Sequence, residues 1–394
     1  MPMPTQPTQV PLTAYALCNA LGASTVEVVE NLRAGNTGLR SSPIDLPFET
    51  QCGAVRDVLD APPSRHAAYD TRQVRIGLRV LEELRPAVEI AARKWGTDRV
   101  AILLGTSTGG IEETERAYNA FRRKGSLPED FDWDRKHSMA ALLEVLRVET
   151  GLRGPAFIVS TACSSSAKVF ASAQRLIEAG VCDAALVGGV DTLCHTTLRG
   201  FHSLEVLSPE RCRPFSEGRR GINIGEGGAL ALLEREGDAA VALLGAGETS
   251  DAHHMTAPSP DGSGARAAMA EALQRAGVAA AEVDHVNAHG TGTMLNDAAE
   301  ALAIRDLFGE AVPVCSTKGY TGHMLGAAGA TEAIFSVVAI EQGFIPMSLG
   351  ADPVDPALGI HVARERLDRR CRVALSNSLA FGGSNVSLVF GASR

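Results

Sequence analysis

The sequence predicts a layered α/β fold made of two similar halves, and three observations carry that expectation. Short aliphatic runs bounded by Gly or Thr alternate with helical stretches over most of the chain, the pattern of strands and helices stacked in layers. The same order of elements begins again near residue 240. The chain has 394 residues, which calls for about two to three domains or one large intertwined unit.

In the first half, "RVAILLG" (99–105), "AFIVST" (156–161), "AALVGG" (184–189) and "GALALLER" (228–235) read as buried strands. Residues 164–179 and much of 137–151 carry helical periodicity. The second half repeats the order. It has a strand in "VALLGAGET" (241–249), a helix over 264–278, a strand in "VDHVNAHG" (283–290), and a further helix. Then come a strand in "VPVCST" (312–317), a helix from about 323 to 342, and two final strands around a Gly-Gly turn. The halves divide as residues 1–239 and 240–394, at "EREGDAAV". No Pro/Gly/Ser linker separates them, so they are expected to pack as one unit.

Composition excludes several classes of function. Apolar residues make up 45% and charged residues 21%, the balance of a soluble globular protein. A net charge of −9 argues against nucleic acid or an anionic membrane as the main partner. No run approaches the roughly 18 apolar residues of a membrane span. The opening "MPMPTQPTQVPLTAY" lacks the charged and apolar regions of a secretory signal. Eight cysteines without a C-x-x-C pair fit a reducing cytoplasm better than a disulfide framework or a zinc site.

Four stretches carry chemistry. In "FIVSTACSSSAKVF" (157–170), Cys163 stands where a strand hands over to a helix. The positive end of a helix there is expected to stabilise a thiolate and lower its pKa. A lone cysteine is more often an inert core residue, so Cys163 needs partners. One is His289 in "NAHGTGT", where Gly290 and Gly292 allow close backbone approach and Thr291 and Thr293 offer hydroxyls. On its own this stretch reads equally well as a capped turn. The next is "STKGYTGHMLGAAGATEAI", with Lys318, His323 and Glu332. Its Gly/Ala run is accounted for by close helix packing, but buried charges need a further reason. Glu332, nine residues beyond His323, could hold Lys318 or the loop in place. In "SNSLAFGGSN", Phe381 followed by Gly382 and Gly383 can project a ring into a pocket and leave backbone N–H groups free for an oxyanion.

Taken together, these motifs resemble those of the β-ketoacyl-acyl-carrier-protein synthases of the thiolase-like superfamily, over nearly the whole chain. The resemblance implies a five-layer αβαβα fold of two pseudo-repeated halves. It implies a decarboxylating Claisen condensation between an acyl group on Cys163 and malonyl-acyl carrier protein, without metal or organic cofactor. His289 and His323 would bind the malonyl thioester carbonyl, and Lys318, held by Glu332, would support them. The amides of Cys163 and Phe381 would form the oxyanion hole. Thr291 and Thr293 would bond the phosphopantetheine arm, Phe381 would act as a gate, and Thr108 and Phe201 would line the acyl pocket. The implied partner is acyl carrier protein, and the implied assembly a homodimer or a heterodimer with a chain-length factor. Nucleic acid and membrane are not implied.

Several positions depart from the family's elongation enzymes. Arg219-Arg220-Gly221-Ile222 stands for Arg-Asp-Gly-Phe, Leu379 for an aromatic residue, and Thr108 for an apolar one. Glu205 occupies the stretch where an Arg used in carrier docking is common. "GINIGEG" is similar to the ketosynthases of aryl-polyene clusters, which points to a specialised polyene or polyketide branch. A thiolase would need a second cysteine in a Cys-x-Gly turn, whereas Cys371 lies in "RRCRV". A non-catalytic chain-length factor typically lacks the nucleophilic cysteine that this chain keeps. For a carrier-docking patch, the candidates are Arg65, Arg72, Arg211 and Arg213.

Overall fold

Aliphatic runs buried on both faces favour strands sandwiched between helices, and the computed structural model, which describes residues 9–393, places them in a mixed parallel and antiparallel sheet. The first eight residues, part of the segment read for a secretory signal, and Arg394 lie outside the described residues. The first half contributes β1 (Val10–Asn19), β2 (Val100–Gly105), β3 (Ala156–Val159), β4 (Ala184–Asp191) and β5 (Gly227–Glu234). The second contributes β6 (Val241–Ser250), β7 (His285–Asn287), β8 (Val314–Cys315), β9 (Val373–Ala380) and β10 (Ser384–Ala392).

Both halves use one topology. The sheet runs β8-β7-β9-β10-β6-β1-β5-β4-β2-β3, so each half orders its own five strands 1-5-4-2-3. In the first, β2 is parallel to β3 and β4, while β5 is antiparallel to β4 and β1. In the second, β7 is parallel to β8 and β9, while β10 is antiparallel to β9 and β6. The halves join where β1 meets β6, at Val10–Leu243 and Pro11–Ala242.

Helices fill the remaining layers. They are α1 (Arg72–Trp95), α2 (Ala141–Thr150), α3 (Ser165–Glu178), α4 (Ser263–Ala276), α5 (Met294–Phe308) and α6 (Ala328–Gln342). In α6 every residue from Ala328 to Ala339 is buried, as expected of a helix that is apolar on all sides. α3 and α6 pack on each other and on strands of both halves. The core between the half-sheets gathers Phe170, Val187, Phe335 and Leu388. A second core lies under α1 and α2, with Val80, Leu84, Leu146 and Ile102. A third lies under α4 and α5, with Met269, Ile304 and Val286. The result is α, β, α, β, α. Among the described residues, no helix is long and apolar enough to cross a membrane.

The duplication positions the site. In each half, the third strand leads into a central helix: β3 runs through Cys163 into α3, and β8 through Lys318 and His323 into α6. The second strand of the second half, β7, runs through His289 into α5.

Candidate active site

The segment after β3 is a tight, strained elbow. Ala162 has φ +50°, a region that L-residues avoid. Serines hold it there: Ser165 Oγ accepts from Thr161 N (2.9 Å) and donates to Ala162 O (2.6 Å), and Ser164 Oγ donates to Thr161 O (2.9 Å). The serines are thus the frame of the elbow. Helix α3 begins only at Ser165, with Ser164 as its cap, so Cys163 precedes the helix instead of sitting in its first turn. The expected fall in its pKa is not found. Burial pushes the thiol up to about 11, against the charge of Lys318 and the backbone N–H groups of Phe381 and of Cys163 itself, which favour the thiolate. At 6% exposure, loss of hydration outweighs those attractions.

Cys163, His289 and His323 converge: their sulfur and ring nitrogens lie within 4.8 Å of one another. The imidazoles meet edge to face with centroids 5.2 Å apart. Burial, then the charge of Lys318, hold both rings well below the usual histidine range, so both are neutral. Their tautomers follow from their neighbours. His323 Nδ1 accepts from Leu325 N–H at 3.0 Å, which leaves the ring proton on Nε2, a buried atom with no protein partner. His289 Nδ1 faces Lys318 Nζ at 3.4 Å, which places its proton on Nε2 as well. Lys318 also donates to His289 O and, at 2.5 Å, to Glu332 Oε1. Burial raises Glu332 to about 7 against the pull of Lys318. Two N–H groups therefore point into the site. That arrangement suits an oxyanion better than a metal ion, which would need lone pairs and would face the Lys318 charge.

Cys163, His289 and His323 line a cavity of about 410 Å³. Its walls include Phe201, Phe381, Thr291 and Thr293. The rings of Phe201 and Phe381 stack with centroids 5.5 Å apart. The hydroxyls of Thr291 and Thr293 bond each other at 2.9 Å, and Thr293 Oγ1 also accepts from Asn296 N at the start of α5. Gly382 and Gly383, at φ +84° and +77°, form the turn beside Phe381 and are not wall residues. Thr108 is not a wall residue of this cavity either, because Asp191 holds both its hydroxyl (2.6 Å) and its N–H (2.9 Å). Gly290 and Gly292 accommodate protein, not ligand: a Cβ at 290 would lie 2.6 Å from Ser316 Cβ, and one at 292, 2.8 Å from Gly221 O.

The four arginines considered for docking are not cavity walls. Arg72 forms a two-pronged pair with Glu226, Arg65 is bound to Glu149, and Arg213 to Glu210. Arg220 is the arginine on the cavity wall, mostly exposed and 3.4 Å from Glu210.

Some residues that hold the site escaped the sequence reading. Glu300, fully buried, accepts from His289 N and Gly290 N (both 2.8 Å) and from Asn377 Nδ2 (3.1 Å). Asp297 accepts from Gly292 N (3.1 Å) and Phe215 N (2.8 Å). Their spacing of three on α5, directly after "HGTGT", was the available signal. The "GINIGEG" stretch pairs with the His323 segment: His323 N donates to Asn223 O and Gly225 N to His323 O.

The sequence models of the β-ketoacyl synthase N-terminal and C-terminal domains match residues 10–239 and 240–352. The chain belongs to the β-ketoacyl synthase family. A 3-oxoacyl-[acyl-carrier-protein] synthase 2 of Rhizobium meliloti is 40% identical over 312 residues, 73% of each protein. Nodulation protein E of Rhizobium meliloti is 38% identical over 304 residues, 74% of this chain and 75% of that protein. Among solved structures, a ketosynthase in complex with its chain length factor from Xenorhabdus doucetiae superposes with a TM-score of 0.91 at 38% identity, covering all of both chains. This β-ketoacyl synthase is accordingly an acyltransferase of thiolase-like fold that catalyses the elongating condensation.

Proposed function

We propose that Cys163 carries the growing acyl group and that His289 and His323 together bind the malonyl thioester. In the first step, Cys163 Sγ attacks the acyl thioester carbonyl. A new carbon–sulfur bond forms, and the pantetheine thiol leaves with the cysteine's proton. The N–H groups of Phe381 and Cys163, which favour the thiolate, hold the oxyanion of that step. In the second, the malonyl carbon–carboxylate bond breaks and its electrons pass to an enolate bonded by the two Nε2–H groups. Carbon dioxide leaves, the enolate carbon attacks the acyl carbonyl, and Cys163 departs as thiolate. Lys318 and Glu332 support this arrangement without touching substrate. Thr291 and Thr293, on the cavity wall, bond the amides of the pantetheine arm, and Phe381 swings between the malonyl and acyl sides.

The observation that supports this reading most is the pair of neutral imidazoles, each with its Nδ1 engaged and its proton left to Nε2, that converge on the Cys163 sulfur. Intact mass after incubation with acyl carrier substrate tests it. An acyl adduct is expected on the wild type and none on Cys163→Ala. His289→Ala and His323→Ala should keep the adduct and lose about 10²–10³ in malonyl decarboxylation, the usual cost of one oxyanion donor. A wild type that gains no adduct would be a non-catalytic partner subunit.

We place the synthase in polyene or polyketide elongation, with acyl carrier protein as donor of both substrates and a second ketosynthase-fold chain as dimer partner. Support comes from the Arg220, Ile222 and Leu379 departures, all on the cavity wall, and from the complex with a chain length factor reported for the Xenorhabdus doucetiae ketosynthase. A cytoplasmic location accords with eight free, buried cysteines. Turnover of unsaturated carrier-bound starters well above that of saturated starters of equal length is expected, and equal rates would reject the branch assignment.

A further inference from the structure

We propose that Asp191 is a positioning residue for His323: from the first half of the chain, it maintains the imidazole of the second half as an Nε2–H donor. The inference rests on the role proposed above for His323.

Asp191 is the last residue of β4 and is fully buried. Its oxygens divide their work. Oδ1 accepts from Thr106 Oγ1 (2.6 Å), Ser107 N (3.1 Å), Thr108 N (2.9 Å) and Thr108 Oγ1 (2.6 Å). Oδ2 accepts from Ser107 N (3.1 Å), Ser107 Oγ (3.2 Å) and, across the boundary between the halves, Ala327 N (3.1 Å). Ser107 Oγ in turn accepts from Gly326 N at 2.9 Å. The turn Leu325–Ala327 is therefore gripped at two consecutive amides by Asp191 and Ser107.

That grip matters because the turn is strained. Leu325 stands at φ +52°, where a residue with a branched side chain persists only when its surroundings over-determine it. The Leu325 amide is the one that donates to His323 Nδ1. If the turn relaxes, this N–H rotates away, Nδ1 becomes free to carry the proton, and Nε2 presents a lone pair to the substrate oxygen. A neutral imidazole in that tautomer repels an enolate instead of stabilising it. The carboxylate thus acts on the reaction through a backbone turn, without touching substrate.

Asp191→Asn separates the two jobs of the carboxylate. With Oδ1 kept on the 106–108 loop, the new amide nitrogen faces both Ser107 N–H and Ala327 N–H, donor against donor. Ser107 N keeps Oδ1 as an acceptor, whereas Ala327 N loses its carboxylate contact, so the His323 turn is released first. Ser107→Ala removes the acceptor of Gly326 N and leaves the carboxylate in place. In each variant, ¹⁵N-histidine NMR reads the His323 tautomer, and two half-reactions are followed, acylation of Cys163 by intact mass and carbon dioxide release from malonyl carrier protein. In wild type, His323 should show an unprotonated Nδ1 and a protonated Nε2. In both variants the Nδ1–H form should grow, and acylation should stay near the wild-type rate. The kcat for decarboxylation should fall by about 10²-fold in Asp191→Asn, as for loss of one oxyanion donor, with KM little changed. Ser107→Ala should show the same split to a smaller degree, and it alone decides the matter if Asp191→Asn does not fold. Equal losses in both half-reactions, or an unchanged His323 tautomer, would overturn the assignment. Failure of the underlying reading would look different: the wild type itself would neither acquire an adduct nor release carbon dioxide.

Discussion

At the scale of single residues, the site is defined by where protons sit. Cys163 is a thiol in the free enzyme because burial outweighs Lys318 and two N–H groups, leaving its pKa at about 11. Below that value, the thiolate fraction rises tenfold with each pH unit and is about 10⁻⁴ at pH 7. Alkylation of Cys163 by iodoacetamide should therefore climb steadily from pH 7 to beyond pH 10. A plateau near neutrality would mean that the protein stabilises the thiolate far more than burial opposes it. Lys318→Ala should slow alkylation at every pH below the thiol's pKa, because the charge that favours the thiolate is gone. The sequence identified Cys163, His289, His323, Lys318 and Glu332 as candidates, since a reactive side chain after an apolar strand is a local signal. It did not reveal the direction of the Cys163 shift, which depends on how much protein surrounds the sulfur. Nor did it reveal Asp191, whose partners lie 84 and 136 positions away.

At the scale of elements, the strands and helices were legible wherever an aliphatic run was long enough to state its period. β2, β4 and β5 fall within a residue or two of their expected bounds. β7 and β8 lie inside the stretches read for them, 283–290 and 312–317, but are shorter, and the late start of α6, at Ala328 instead of 323, was not legible. There the hydrogen bonds of His323 N to Asn223 O and of Ala327 N to Asp191 decide where the helix begins. Close contact between elements adds a testable constraint. At the end of β2, a Cβ on Gly105 would lie 2.3 Å from Ser166 N and 2.4 Å from Ser165 C, in the first turn of α3. Backbone there has no room to yield. Gly105→Ala should cost roughly 1–3 kcal/mol in urea unfolding, the usual penalty of overpacking. It should also slow acylation of Cys163, because the displaced turn carries the serines that frame the elbow. Wild-type stability together with wild-type acylation would show that β2 and α3 can separate freely.

At the scale of the whole molecule, the duplicated topology ends in an open edge. β3 pairs with β2 on one side only, and Phe157 in its middle is 37% exposed. The stretch that connects β2 to β3 adds exposed Tyr118, Phe121, Leu127 and Trp133. An uncovered strand edge with aromatic neighbours invites pairing with another strand. The proposed second ketosynthase-fold chain would pair there, strand to strand, and bury Phe157. Reversing that burial with Phe157→Arg removes roughly 1.5–3 kcal/mol of apolar contact and should raise the dimer dissociation constant by about tenfold or more. Sedimentation of the purified chain at a series of concentrations measures the shift. A wild-type dimer that Phe157→Arg leaves equally tight would move the interface elsewhere. A wild type that stays monomeric alone, yet forms a one-to-one complex with a chain-length-factor subunit that Phe157→Arg weakens, would make the heterodimer its working form. In that case the β3 edge is matched to a partner different from itself, and the acyl chain length follows from two sequences instead of one.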